Sequence, residues 1–320
     1  MKQPLRLRWV LGHIPYDLFL RSANIFAKKL HEKTDGMVEI EIMGIDELND
    51  RHLIPQGKAP IEHGYQLIDL VNDGTIDMSQ LLNTEMCNIN KNMEVLELPF
   101  LFRDHDHATK VLDGEIGMGL LNDLSKNSNI KGLAFTYSGG FRMVVSTQPL
   151  SSVDDFAGKK VRTSWGAVAK NTFKVLDAET VNVRISETAN AIRNNIVDSG
   201  ENTWARFYRT GLNDVAKYVS ETHHSLFLTC VVMNSKIWEN FDPKIQAFMQ
   251  EAALEAALGE RVEALVDGAQ AKQQAINDGV IVQEWDEVQH ARLRQITLST
   301  YDIYRDHFDA GLIDAIKNVH

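Results

Sequence analysis

The chain has 320 residues, 44% of them apolar and 24% charged, and its 44 acidic against 33 basic side chains give a formal net charge of −11. That length can hold two domains, each with its own core. The acidic balance and the lack of any long Lys/Arg run argue against a nucleic-acid partner, whose binding depends on neutralised phosphates. No apolar stretch approaches the roughly 18 residues that would span a membrane.

Leu5 to Leu11 alternates as a strand, and Asp17 to Lys33 then places Leu18, Ala23, Phe26, Ala27 and Leu30 at helical spacing. Thr34-Asp35-Gly36 closes that helix, and Met37 to Ile42 alternates again, which completes a β-α-β unit and implies a parallel sheet. Gly44 to Gly64, with Pro55 and Pro60, reads as loop-rich, followed by helical Tyr65 to Asn72 and strand Ile76 to Leu81. Phe135 to Val183 is richer in strands, with helices over Gly166 to Leu176 and Glu187 to Ile196. Leu226 to Asn234 is apolar on both faces, as a central strand buried on both sides should be. After Pro243 the chain stays helical to about Asp278, long enough at 1.5 Å per residue to lie across two domains. The fold class expected is α/β: a two-lobed, hinged fold of mixed sheets flanked by helices, with one long helix spanning both lobes. Ligands of such folds gather in the cleft. Cys87 and Cys230, far apart in apolar surroundings, read as two buried thiols.

The chemistry concentrates at Arg142, in Gly139-Gly-Phe-Arg142-Met-Val, and at Arg162, in Gly158-Lys-Lys-Val-Arg162-Thr. An arginine among apolar strand residues needs an anionic partner, and its planar fork matches a carboxylate bidentately. That partner is either one of the chain's own carboxylates or a small organic acid. Asn202 offers a donor and an acceptor for a second oxygen or a hydroxyl, unless it caps its own loop.

Several stretches together carry a resemblance to a known family. They are Gly74-Thr-Ile-Asp77-Met78, Leu96-Glu-Leu-Pro99-Phe100-Leu-Phe102-Arg103-Asp104 with His107-Ala108 and Asp113-Gly114, the two arginine motifs, Val197-Asp198-Ser-Gly-Glu201-Asn202, and Tyr218 to His224. In that order and over nearly the whole chain, they resemble the extracytoplasmic solute-binding subunits of tripartite ATP-independent periplasmic (TRAP) transporters, the DctP-like family. The resemblance implies two hinged α/β lobes, here residues 1–139 with 228–267 and residues 140–227 with 268–320, and a ligand cleft between them. It implies a binding protein rather than an enzyme, without a cofactor, that delivers a small organic acid to a TRAP membrane permease. It also implies a periplasmic location, the export signal having been removed. Arg162 takes the position that pairs with the substrate carboxylate, and Arg142 and Asn202 take positions that line the cleft. The chain departs from the family pattern at Asn195, Ser199 and Thr203, and in the long Gly44 to Gly64 stretch.

Trp165 and Trp204 flank the anchor positions, with Phe207 and Tyr208 one turn beyond, and could stack on a ring or cover a cation, or else pack the hinge. From the first lobe, His13 and Tyr16 follow the first strand, and Asn83, Thr84 and Glu85 follow the strand ending at Leu81. Both loops are at strand ends, where α/β ligands gather. Glu85 there could read a hydroxyl or an ammonium group. The alternatives are a zwitterionic solute such as ectoine, or a sugar acid. His105, His107, His223 and His224 have spacings that tempt a metal reading, but no further ligands complete a set. No nucleophile elbow, P-loop or dinucleotide fingerprint supports an enzyme acting on an organic acid.

Overall fold

A computed structural model describes residues 4–320. The chain forms two compact units. The first holds residues up to Asn90, Thr109–Tyr137 and Leu228–Glu263, and the second holds Lys91–Ala108, Ser138–Phe227 and Ala264–His320. Among the described residues the strands are, in chain order, β1 (Leu5–Leu11), β2 (Val38–Gly44), β3 (Met78–Leu82), β4 (Ile130–Phe141), β5 (Met143–Ser146), β6 (Lys160–Arg162), β7 (Glu179–Val181), β8 (Ser199–Asn202), β9 (Tyr218–Ser220), β10 (Leu226–Asn234) and β11 (Ile281–Gln283).

The first unit is built on a mixed sheet of order β2-β1-β3-β10-β4, with β1 parallel to β2 and β3, and β10 antiparallel to β3. The helix Tyr16–Lys33 makes the β1-to-β2 crossover because Leu18, Phe19, Ala23, Phe26 and Leu30 share one buried face. Phe26 meets Trp9 of β1 edge-on at 5.1 Å. At the end of this helix Thr34 Oγ1 donates to the Leu30 carbonyl, and Gly36 at φ 73° turns the chain into β2. All nine residues of β10 are buried, as its two apolar faces require.

The Gly44 to Gly64 stretch is not the open loop the prolines suggested. Ile45–Gln56 is one run of helical turns that buries Leu48 and Leu53, and Pro55 falls where the run tightens into a 3-10 turn. Asn49 then clamps the following segment, donating to the Ile61 carbonyl (2.8 Å) and accepting its N–H (2.9 Å).

The second unit has a six-stranded sheet of order β11-β9-β5-β8-β6-β7, in which β6 runs parallel to β7 and β8 while β5 runs antiparallel to β8 and β9. Residues 91–108, expected with the first lobe, pack in this unit instead. The Phe100 N–H donates to the His224 carbonyl at 2.8 Å, and the Tyr301 hydroxyl to the Pro99 carbonyl at 2.7 Å. The 35-residue helix Pro243–Asn277 supplies residues to both units, with the division after Glu263.

Candidate ligand-binding site

Arg162 closes β6, paired in register with Val181 of β7 and Gly200 of β8. It is only 5% exposed, and its Nε donates to the Val183 carbonyl at 3.0 Å, which fixes the guanidinium plane. Four residues on, Gly166 opens the helix Ala167–Lys174, whose first N–H groups lack intrahelical partners.

Arg142, between β4 and β5, is fully buried and meets two of the chain's own carboxylates. Its Nη2 is 3.9 Å from Glu97 Oε2 and its Nη1 is 3.9 Å from Glu201 Oε1. The guanidinium lies 3.6 Å from the centre of the Phe227 ring, and Arg206 approaches the same ring at 4.9 Å. Glu201 is the hub of this cluster. One of its oxygens accepts the Ser164 N–H in a short bond, and the other lies 3.2 Å from His224 Nε2. Burial alone would push its carboxyl up, but the Arg142 guanidinium and the bonds from His224 and Ser164 hold it well below the usual carboxylate range. Glu201 thus joins Arg142 to the segment that leaves Arg162, since Ser164 is two residues beyond it.

Asn202, at the end of β8, spends its side chain locally: Nδ2 donates to Thr210 Oγ1 at 3.1 Å, and Oδ1 accepts the Thr203 N–H at 2.9 Å. Thr203 in turn donates to the Ser138 carbonyl (2.7 Å), and Gly139, at φ 100°, passes so close that a Cβ there would sit 2.3 Å from Thr203 Oγ1. Asn195 takes the left-handed conformation at φ 56°, whereas Ser199 is ordinary extended backbone in β8, paired with Ser146. Of the aromatics that neighbour Arg162 and Asn202 in sequence, Trp165 is open, at 50% exposed. Phe207 is fully buried and meets Trp204 edge-on at 5.5 Å, and the Trp204 indole donates to Glu221 at 2.8 Å. Both rings belong to the core built around Val145, Ile192 and Val219.

In the first unit the structure brings His13 and Glu85 together. His13 Nε2 is 3.2 Å from Glu85 Oε2, which also accepts the Leu82 N–H at 2.7 Å. Glu85 Oε1 is shielded from solvent and accepts no hydrogen bond among the described residues. Asn83 is buried on the same short helix, Asn83–Met86. Tyr65, from the Gly44 to Gly64 region's exit, meets the His13 ring edge-on at 5.5 Å. Tyr16 is 42% exposed at the start of its helix.

Glu97, Glu201, His224 and Phe227 were not singled out from the sequence as partners of Arg142. A glutamate inside Val95-Leu96-Glu97-Leu98 carries the same signal as a strand arginine: a charge among apolar residues requires a counter-charge. No group of three or more His, Cys, Asp or Glu among the described residues could hold a metal ion. Cys87 and Cys230 are free thiols.

A solved TRAP periplasmic solute-binding protein from Chromohalobacter salexigens, with bound D-glucuronate, superposes at a TM-score of 0.84 over 98% of this chain and 100% of that one, at 23% identity. Residues 15–307 match the family of bacterial extracellular solute-binding proteins, family 7 (DctP). The chain belongs to this family, that of the TRAP solute-binding subunits, whose members bind substrates for transporters and are not enzymes. It is 28% identical over 263 residues to the 2,3-diketo-L-gulonate-binding periplasmic protein of Escherichia coli, covering 81% of this chain and 74% of that one. It is 27% identical over 235 residues to the C4-dicarboxylate-binding protein DctB of Bacillus subtilis, covering 73% and 63%. No helix of the described residues is long and apolar enough to cross a membrane.

Proposed function

We propose that this chain captures a small organic acid in the periplasm through a carboxylate pair with Arg162, closes its two units around the acid by hinge bending, and hands it to a TRAP membrane permease. The observation that carries the reading is Arg162 itself: a buried guanidinium, aimed by its bond to the Val183 carbonyl, on the segment that leads through Gly166 into the helix Ala167–Lys174. A carboxylate paired there gains two parallel charge-assisted bonds. Closure removes water and strengthens that pair. Arg142 acts behind it, held by Glu97 and Glu201, and Asn202 shapes the adjoining loop. Trp165 and Tyr16 are exposed aromatics available to a ligand.

The other end of the acid falls to His13, Asn83 and Glu85. A second carboxylate would face Glu85 with like charge, whereas a hydroxyl or an ammonium group would supply the donor that Glu85 Oε1 lacks. This favours a hydroxylated acid, such as a sugar acid, over a plain dicarboxylate; a zwitterion such as ectoine is the second reading, supported by the same oxygen.

Calorimetric titration of the wild type and of Arg162→Ala with a panel of dicarboxylates, sugar acids and zwitterions tests both levels. Arg162→Ala is expected to weaken the best ligand by about 3 kcal/mol or more, because the acid would lose its counter-charge in a desolvated site. Near-native affinity in that variant would refute the anchor. A dicarboxylate as the tightest wild-type ligand would refute only the reading of Glu85.

A further inference from the structure

The stretch from Gly44 to Gly64, where the chain departs from the family pattern, has no part in the capture proposed above, yet both of its ends close on the loop that carries His13. Gly12, one residue before His13, is walled in by Ile45 at the start of the stretch and by Gly64 and Leu67 at its end. A Cβ built on Gly12 would sit 2.8 Å from Ile45 Cδ1, 2.8 Å from Leu67 Cδ1 and 2.9 Å from Gly64 Cα. The segment between is tied down as well. Asn49 holds Ile61 by two bonds to its backbone, and Gln66 Oε1 accepts the N–H groups of Glu62 (2.9 Å) and His63 (3.1 Å).

What this scaffold presents is Tyr65. Its ring stands edge-on to the His13 imidazole at 5.5 Å, and His13 Nε2 is in turn 3.2 Å from Glu85 Oε2. Tyr65 is 38% exposed, and among the described residues its hydroxyl has no hydrogen-bond partner. A tyrosine offers a flat apolar face and a polar tip, which suits carbon chains that carry hydroxyl groups. Because both flanks of Tyr65 are fixed before a ligand arrives, contact with it costs little further ordering.

We propose that Tyr65 is a specificity-determining residue: its ring lies along the carbon–hydrogen face of a hydroxylated acid, and its phenol bonds one of that acid's hydroxyl groups. The inference rests on the capture reading above and names what the first unit adds to it. A ligand hydroxyl that donates to the shielded Glu85 Oε1 keeps its own lone pairs unused. The Tyr65 phenol can donate to them, whereas a carboxylate oxygen can only accept. An acid without hydroxyls leaves both groups unpaired, and sites built on paired polar groups reject such analogues.

Calorimetric titration of the full chain with glycerate, threonate, xylonate and gluconate, each beside the unsubstituted acid of the same chain length, tests this. The readout is the affinity ratio within a pair, which a change in folding or in the carboxylate anchor does not move. Tyr65→Phe, which keeps the ring and removes the hydroxyl, should lower that ratio about three- to tenfold, and Tyr65→Leu at least as far. A ratio unchanged in both variants would overturn the proposal, as would a wild type that prefers no hydroxylated acid to its parent. Arg162→Ala, titrated in parallel, separates this inference from the capture reading. If Arg162→Ala weakens both acids of a pair while Tyr65→Phe leaves their ratio alone, Tyr65 fails and the anchor stands. If Tyr65→Phe lowers the ratio while Arg162→Ala binds as wild type does, the anchor fails and Tyr65 stands.

Discussion

At the scale of single residues, the two arginines that look alike in sequence are held differently. Arg162 sits at a strand end with its Nε bonded to the Val183 carbonyl, whereas Arg142 lies between Glu97 and Glu201 and over the Phe227 ring. The balance of that second cluster rests on Glu201, whose charge is stabilised in the fold. A depressed carboxyl contributes stability that is present above its ordinary value of 4.5 and lost as the pH falls below it. Glu201→Gln should therefore destabilise the protein by roughly 3 kcal/mol at neutral pH, since Arg142 and His224 lose a buried partner. Urea denaturation should show the gap to wild type narrowing below pH 4.5; a gap unchanged down to acid pH would mean that Glu201 carries no special charge.

At the scale of elements, the positions that matter are those where backbones approach closely. Gly64 lies against the β1 exit loop, and a Cβ built on it would sit 2.4 Å from the Gly12 carbonyl oxygen and 2.9 Å from His13 Cε1. Backbone cannot give way as a flexible side chain can, so Gly64→Ala should cost about 2 kcal/mol and shift the loop that carries His13. Gly119, in the helix Glu115–Asn127, faces open space, so Gly119→Ala should instead stabilise by roughly 0.5–1 kcal/mol through helix propensity. Thermal unfolding of the two variants checks the contrast, and equal shifts would show that the close approach is not tight.

Such approaches also mark where the sequence was hard to read. The strands Leu5–Leu11 and Leu226–Asn234 and the helix Pro243–Asn277 follow directly from their apolar patterns. The run Ile45–Gln56 did not, because Pro55 and the glycines around it signal loop, while what holds it is Asn49 bonding to Ile61, a contact without periodicity. Trp204 and Phe207 illustrate the same gap at the site. Proximity in sequence to Asn202 suggested stacking on a ligand or packing of the hinge, and the structure puts both rings in the core around Val145 and Val219, a contact that sequence spacing does not carry.

At the scale of the whole molecule, the proposed capture requires the two units to move relative to one another, with hinge bending about the chain crossings. A saturating ligand found by the calorimetric panel should then compact the protein. Small-angle scattering should register a smaller radius of gyration with ligand than without, and superimposable profiles would speak against closure. By itself the sequence determined the α/β class, the long shared helix and the family. Each is written in local periodicity or in motifs of fixed order, which the chain carries before it folds. Only the tertiary structure decided which charges neutralise which. Glu201 meets Arg142, Glu260 accepts the Tyr137 N–H, and residues 91–108 join the second unit, because counter-charges and hydrogen-bond partners for buried groups are found in space, across separations that no sequence spacing encodes.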